Sequence, residues 1–124
     1  MNSLSTPSFV VYRRYLAAIG SLMAGLSVAM CAYAFHAAAP AASARLLQAA
    51  VFAFLHGLAL TALAPLAQRP TSLLALAMLL LGVLLFGGSL LAAVLLGLTP
   101  ALAPLGGGLV ISGWLLHAYD RLRG

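Results

Sequence analysis

Along this 124-residue chain, long apolar runs alternate with isolated arginines. The charged positions are Arg13, Arg14, Arg45, Arg69, Asp120, Arg121 and Arg123. Between Arg14 and Arg45 lie 30 uncharged residues, between Arg45 and Arg69 there are 23, and between Arg69 and Asp120 there are 50. A bilayer crossing takes about 20 apolar residues as a helix. The first two gaps therefore hold one span each and the third holds two. The pattern predicts spans at about 15–38, 46–67, 72–97 and 101–119. Residues 1–12 read as a polar-to-mixed lead and "APAASAR" (39–45) as a loop. "QRPT" (68–71) is a tight turn, with Pro70 suited to opening the next helix. "LTPALAP" (98–104) breaks the long uncharged stretch with two prolines. The spans must be helices, because backbone amides find no water in hydrocarbon and short connections cannot close a barrel. The expected fold is one all-α integral membrane domain over residues 1–124, a four-transmembrane-helix bundle.

Composition agrees with the pattern. The chain is 65% hydrophobic and 6% charged, whereas soluble domains carry about 25% charged residues. The formal charge of +5 does not point to nucleic acid, since six arginines spread over ends and loops make no basic stripe. Arginine prefers the cytoplasmic side of a span. With the N-terminus inside, Arg13, Arg14, Arg69, Arg121 and Arg123 share that side and only Arg45 lies opposite. The reading is N-in and C-in. A signal-peptide reading of the first run competes through "RR" and the cleavage-like "ASA" at 42–44. The run, however, exceeds the 7–15 residues of a signal h-region. Cys31 stands alone and reads as a small buried hydrophobe.

Small residues carry the next layer of information. "APLGGGLVISGW" (103–114) opens a greasy helix with Gly106, Gly107 and Gly108, each about 1 kcal/mol worse than alanine in water. In lipid, helices associate through close packing, and small residues mark the contacts. Ala17, Ser21, Gly25 and Ala29 form a ridge at four-residue spacing on the first span. Gly88 with Ala92, Ser89 with Ala93, and Gly108 with Ser112 repeat the spacing on the third and fourth. Gly113 and Trp114 join the predicted packing set. By helix rise, His56, Ser89 and Gly108 lie about 15, 12 and 10 Å from the outer ends of their helices, one layer near mid-bilayer. The glycines then mark a close approach of neighbours; a re-entrant or unwound start to the fourth span is the alternative.

His36, His56 and His117 cannot share one metal, since His36 and His56 differ by about 12 Å in depth and a ligand must lie about 2 Å from the ion. No metal or cofactor is expected. An ionisable side chain within a span is a candidate functional group. For His56 the leading reading is a neutral imidazole hydrogen-bonded to Ser89 or to a carbonyl beside the glycines. A proton- or substrate-handling role is the sharper one, and the lack of an intramembrane carboxylate tells against ion coupling. Trp114, Tyr119 and Tyr15 suit interfacial anchors. No nucleophile–base pair, phosphate loop or dinucleotide fingerprint occurs, so an enzyme is not expected.

"LLFGGSLL" (84–91) followed by "APLGGGLVISGW" resembles a small membrane family, the YgdD-like proteins or domain of unknown function four-two-three. Tyr33–His36 fit its first block, Phe52–Leu60 with His56 its second, Leu85–Leu90 its third, and Pro104–Gly107 with Gly113 and Trp114 its fourth. Phe35, Ala34, Ala53 and Gly87 depart from the pattern; Ala53 stands where the family has a glutamine. The resemblance implies four helices in a bacterial inner membrane and no established activity. The expected function is that of a non-enzymatic membrane protein acting through helix contacts, with itself or a larger membrane complex, in the lipid bilayer. The alternative is a small channel or carrier using the His56 layer.

Overall fold

The computed structural model describes residues 6–36 and 38–124. Four helices follow one another: α1 (Pro7–His36), α2 (Pro40–Leu63), α3 (Pro70–Leu96) and α4 (Ala103–Leu122), with a 3-10 turn at Ala64–Leu66 extending α2. No strand occurs among the described residues. Helices α1, α2 with its 3-10 extension, and α3 are each long and apolar enough to cross a membrane.

The helices run further than the hydrophobic pattern suggested. Helix α1 begins at Pro7, inside the stretch read as a lead; residues 1–5 of that lead lie outside the described residues. The loop expected at 39–45 is corrected as well: the helix is already formed at Pro40. Proline fixes φ for a first turn, and Ala41, Ala42 and Ala44 are the strongest helix formers. The connection is thus confined to residues 37–39, of which residue 37 lies outside the described set. Pro70 opens α3 from an extended Arg69, and Gly97 ends it in the left-handed region at φ 67°. That conformation costs glycine little and other residues more. Residues 103–122 form one regular helix through the triple glycine, so the unwound start is not what the chain adopts.

The helices pair as two hairpins, α1 with α2 and α3 with α4, joined along a seam between α2 and α3. Helix α1 touches α3 only lightly and makes no substantial contact with α4. Each hairpin is drawn tight by one glycine pair. A Cβ on Gly20 would sit 2.6 Å from the Gly57 carbonyl oxygen, and one on Gly57 the same distance from that of Gly20. In the second hairpin, a Cβ on Gly82 would meet the Gly106 oxygen at 2.7 Å, and one on Gly106 would meet the Gly82 oxygen at 2.6 Å. These are backbone-to-backbone crossings, the packing that membrane helices use when no hydrophobic drive exists between them. Leu60, Leu76, Leu79, Val83 and Val110 fill the space around the crossings.

The outer surface is apolar. Leu22, Leu26, Leu55, Leu58, Leu81, Leu84, Leu95, Ile111 and Leu115 all stand exposed. Water-soluble monomers rarely show contiguous apolar surface on this scale; a lipid-facing belt does.

Candidate functional site

Two polar centres lie within this apolar body. The first is built on His56, one turn after Phe52 on α2. Its Nδ1 lies 2.7 Å from the Phe52 carbonyl oxygen. A carbonyl only accepts, so Nδ1 carries the proton. Trp114 of α4 donates its indole Nε1–H to His56 Nε2 at 3.1 Å. Indole nitrogen only donates, so Nε2 offers a lone pair. The two bonds together specify one neutral tautomer, with both nitrogens engaged inside the protein.

Rings surround this pair. The Phe52 and His56 rings stack at 5.8 Å with 7° between planes. Phe52 also meets Phe86 of α3 at 4.6 Å. Trp114 lies 5.9 Å from His56 and edge-on to His117, again at 5.9 Å. The result is a ladder of five rings, Phe86–Phe52–His56–Trp114–His117, that ties α3, α2 and α4 together. Contacts at this spacing are favourable beyond their buried area. Trp114→Phe should keep the ring and strand the Nε2 lone pair. It is expected to cost about 0.6–1 kcal/mol, in line with intramembrane hydrogen bonds. His56→Gln should cost less than His56→Leu, because an amide can still accept the indole proton. Melting curves of the single variants and of the His56/Trp114 double variant measure this; strictly additive effects would show that the bond carries no weight.

The second centre lies at the opposite termini of helices α3 and α4. Asp120, near the end of α4, is 3% exposed. Thr71 donates to its Oδ1 at 2.8 Å and Ser72 donates to Oδ2. Arg123 Nη2 reaches Oδ1 at 3.1 Å and Arg69 Nη1 lies 3.5 Å from the same oxygen. Arg69 also donates to the Asp120 carbonyl at 2.9 Å, and Arg123 donates to Thr71 Oγ1 at 2.6 Å. The carboxylate sits at the N-terminus of α3, where the helix dipole favours an anion. Burial opposes its ionisation. The hydrogen bonds from Ser72, Thr71 and Arg123, with the charge of Arg69, outweigh that and hold the carboxyl well below the usual range. On the same end of the molecule, Arg13 Nε donates to the Ala64 carbonyl at the C-terminus of α2, 3.3 Å away.

The structure distributes the residues singled out from the sequence unevenly. His56 and Trp114 come together, although Trp114 was assigned to packing rather than to the histidine. The half-buried Ser89 hydroxyl makes no hydrogen bond among the described residues; the expected His56–Ser89 contact is replaced by Phe52 and Trp114. Gly106 is buried at a crossing, while Cβ atoms on Gly88, Gly107 and Gly108 would meet nothing within 4 Å. Packing is thus carried by the first glycine of the triplet and not the third. Gly113 is closely approached, with Leu79 Cδ2 at 2.9 Å from its would-be Cβ, whereas Ser112 is exposed. On α1 the ridge is rotated from the expected one. Ser21 bonds Thr61 Oγ1 at 3.0 Å at the margin of the contact, Gly25 and Ala29 face outward, and Gly20 lies at the centre.

Gly20, Gly57, Gly82 and the Asp120 partners were missed. Gly20 and Ala24, and Gly57 and Thr61, carry the same small-residue spacing as the ridge that was chosen. Among the described residues no group of three or more histidine, cysteine or acidic side chains is placed to hold a metal.

Neither curated proteins nor solved structures provide a match. The model of one family, described as a protein of unknown function (DUF423), matches residues 27–107. That stretch holds both glycines of the α3–α4 crossing and most of the ring ladder. This chain belongs to the DUF423 family.

Proposed function

We propose that the protein crosses the bacterial inner membrane four times, with both termini in the cytoplasm, and acts through helix contacts rather than catalysis. Its partner is a further copy of itself or a larger membrane complex. One observation carries the choice of packing over transport: no buried side-chain nitrogen or oxygen among the described residues lacks a hydrogen-bond partner. A carrier of polar cargo offers unpaired groups along its route. Here His56, the one ionisable group deep in α2, has both nitrogens committed to the fold.

Ahead of Asp120, residues 103–119 of helix α4 supply about 26 Å at 1.5 Å per residue, close to the hydrocarbon thickness, which supports reading it as the fourth crossing. Its polar residues gather at the end where Asp120 and Arg123 meet Arg69 and Thr71. Arg13 is held at that same end through Ala64. The arginine bias towards one end supports a cytoplasmic assignment for it. Reporter fusions after residue 124 and in the 37–39 connection should give opposite readings, inside and outside. A C-terminal reporter active only outside would refute the orientation. Extraction from native membranes in mild detergent should yield an assembly clearly larger than the 12.7 kDa chain. A bare monomer in both detergent and native nanodiscs would overturn the helix-contact reading.

A further inference from the structure

We infer that Arg13 and Arg14 form a headgroup site for an anionic phospholipid, in the groove between the start of α1 and the end of α2. The inference rests on the membrane reading above and begins from charge. The chain has six arginines and one acidic side chain. That acid, Asp120, is already shared by Arg69 and Arg123. No carboxylate side chain in this sequence remains for Arg13 or Arg14, which leaves both guanidiniums open to an external anion.

Geometry places the two guanidiniums on one groove. An open cleft of about 450 Å³ is lined by Val10, Arg13, Arg14, Ala17 and Pro65. Arg13 is held over it by its Nε bond to Ala64, and its Nη donors make no hydrogen bond among the described residues. Arg14 is exposed and its side chain makes no hydrogen bond or ion pair among the described residues. Guanidinium presents a planar fork that matches phosphate oxygens. Beside the arginines the lining residues Val10, Ala17 and Pro65 are apolar and small, which suits the apolar part of a lipid and not a free anion. Tyr15, exposed on the next part of α1, has the amphipathic ring found at headgroup depth. A lipid phosphodiester is therefore the occupant that satisfies both the charge and the apolar lining.

The test uses the full chain in detergent, with bound lipid read by native mass spectrometry and by melting temperature. Phosphatidylglycerol, phosphatidylcholine and inorganic phosphate are added separately. Phosphatidylglycerol should be retained and should raise the melting temperature, with Arg14→Gln weakening retention about tenfold, the loss of one charge-assisted bond. Arg121, exposed and unpaired at the same end, is the control, and Arg121→Gln should leave retention unchanged. Without lipid, Arg14→Gln should melt as the wild type does. Equal retention of phosphatidylcholine, equal losses in the two variants, or stabilisation by phosphate alone would each overturn the site. Failure of the membrane reading looks different: alkaline carbonate would then strip the chain from vesicles.

Discussion

Gly106→Ala is expected to pull the second hairpin apart, while Gly108→Ala, two residues away, leaves it intact. A Cβ at position 106 would lie 2.5 Å from the Phe86 amide nitrogen and 2.6 Å from the Gly82 carbonyl oxygen. Both are backbone atoms and cannot swing aside, so α3 and α4 must separate along their whole contact. Overpacking of this kind costs about 1–3 kcal/mol, and more when backbones must shift. At position 108 the added methyl meets nothing within 4 Å. There alanine's helix preference acts alone, worth up to about 1 kcal/mol in its favour. The two substitutions are chemically identical and should shift the melting temperature in detergent in opposite directions. Equal shifts would show that the hairpin does not depend on the crossing.

The second large effect belongs to Asp120. Removing its carboxylate in Asp120→Ala leaves two cations and two hydroxyls without their common acceptor. Breaking a fully buried pair costs about 3–5 kcal/mol. Arg69 and Arg123 are 34% and 40% exposed and regain water, which reduces the expected loss to about 1–2 kcal/mol. The pH dependence has a definite sign. The carboxyl is held below its ordinary range when folded, so the folded state binds the proton less readily than the unfolded one. The stabilisation is complete above about pH 4, the ordinary carboxylate value, and declines as the pH falls below it. Melting temperatures between pH 7 and 3 should fall for the wild type and fall less for Asp120→Asn. Parallel curves would separate Asp120 from the acid sensitivity.

Much of this architecture is legible in the sequence because lipid imposes long apolar runs. The spacing of seven charges and the prolines at 100 and 104 place α3 and α4 close to their observed ends, Pro70–Leu96 and Ala103–Leu122, whereas α1 and α2 open well before the expected spans, at Pro7 and Pro40. Helix starts were harder. Pro7 and Pro40 look like breakers, yet at a first turn they initiate, and α1 and α2 start earlier than the apolar pattern implied.

The contacts were less legible for a geometric reason. A ridge one residue over is rotated by about 100°, so Gly20 with Ala24 and Ser21 with Gly25 are equally good stripes that face different neighbours. Composition does not decide between them; the partner helix does. The same holds for the histidine. Phe52 and His56, four apart on α2, and Trp114 and His117, three apart on α4, each announce a shared face. Which face meets which is a long-range fact. Asp120 carried the clearest unused signal, since a lone acid has to be neutralised and "PTS" at 70–72 opens a helix whose positive end suits it.

The pairing of sequence neighbours also sets a timetable. Gly20 meets Gly57 and Gly82 meets Gly106, so each crossing closes between consecutive helices. The first and last helices owe each other no substantial contact. Local pairings of this kind form quickly because little chain must be ordered to reach them. The first hairpin needs nothing from α4 to seat itself. As the chain leaves the ribosome, that hairpin can settle while the second is still being made, and the ring ladder locks the two halves only at the end.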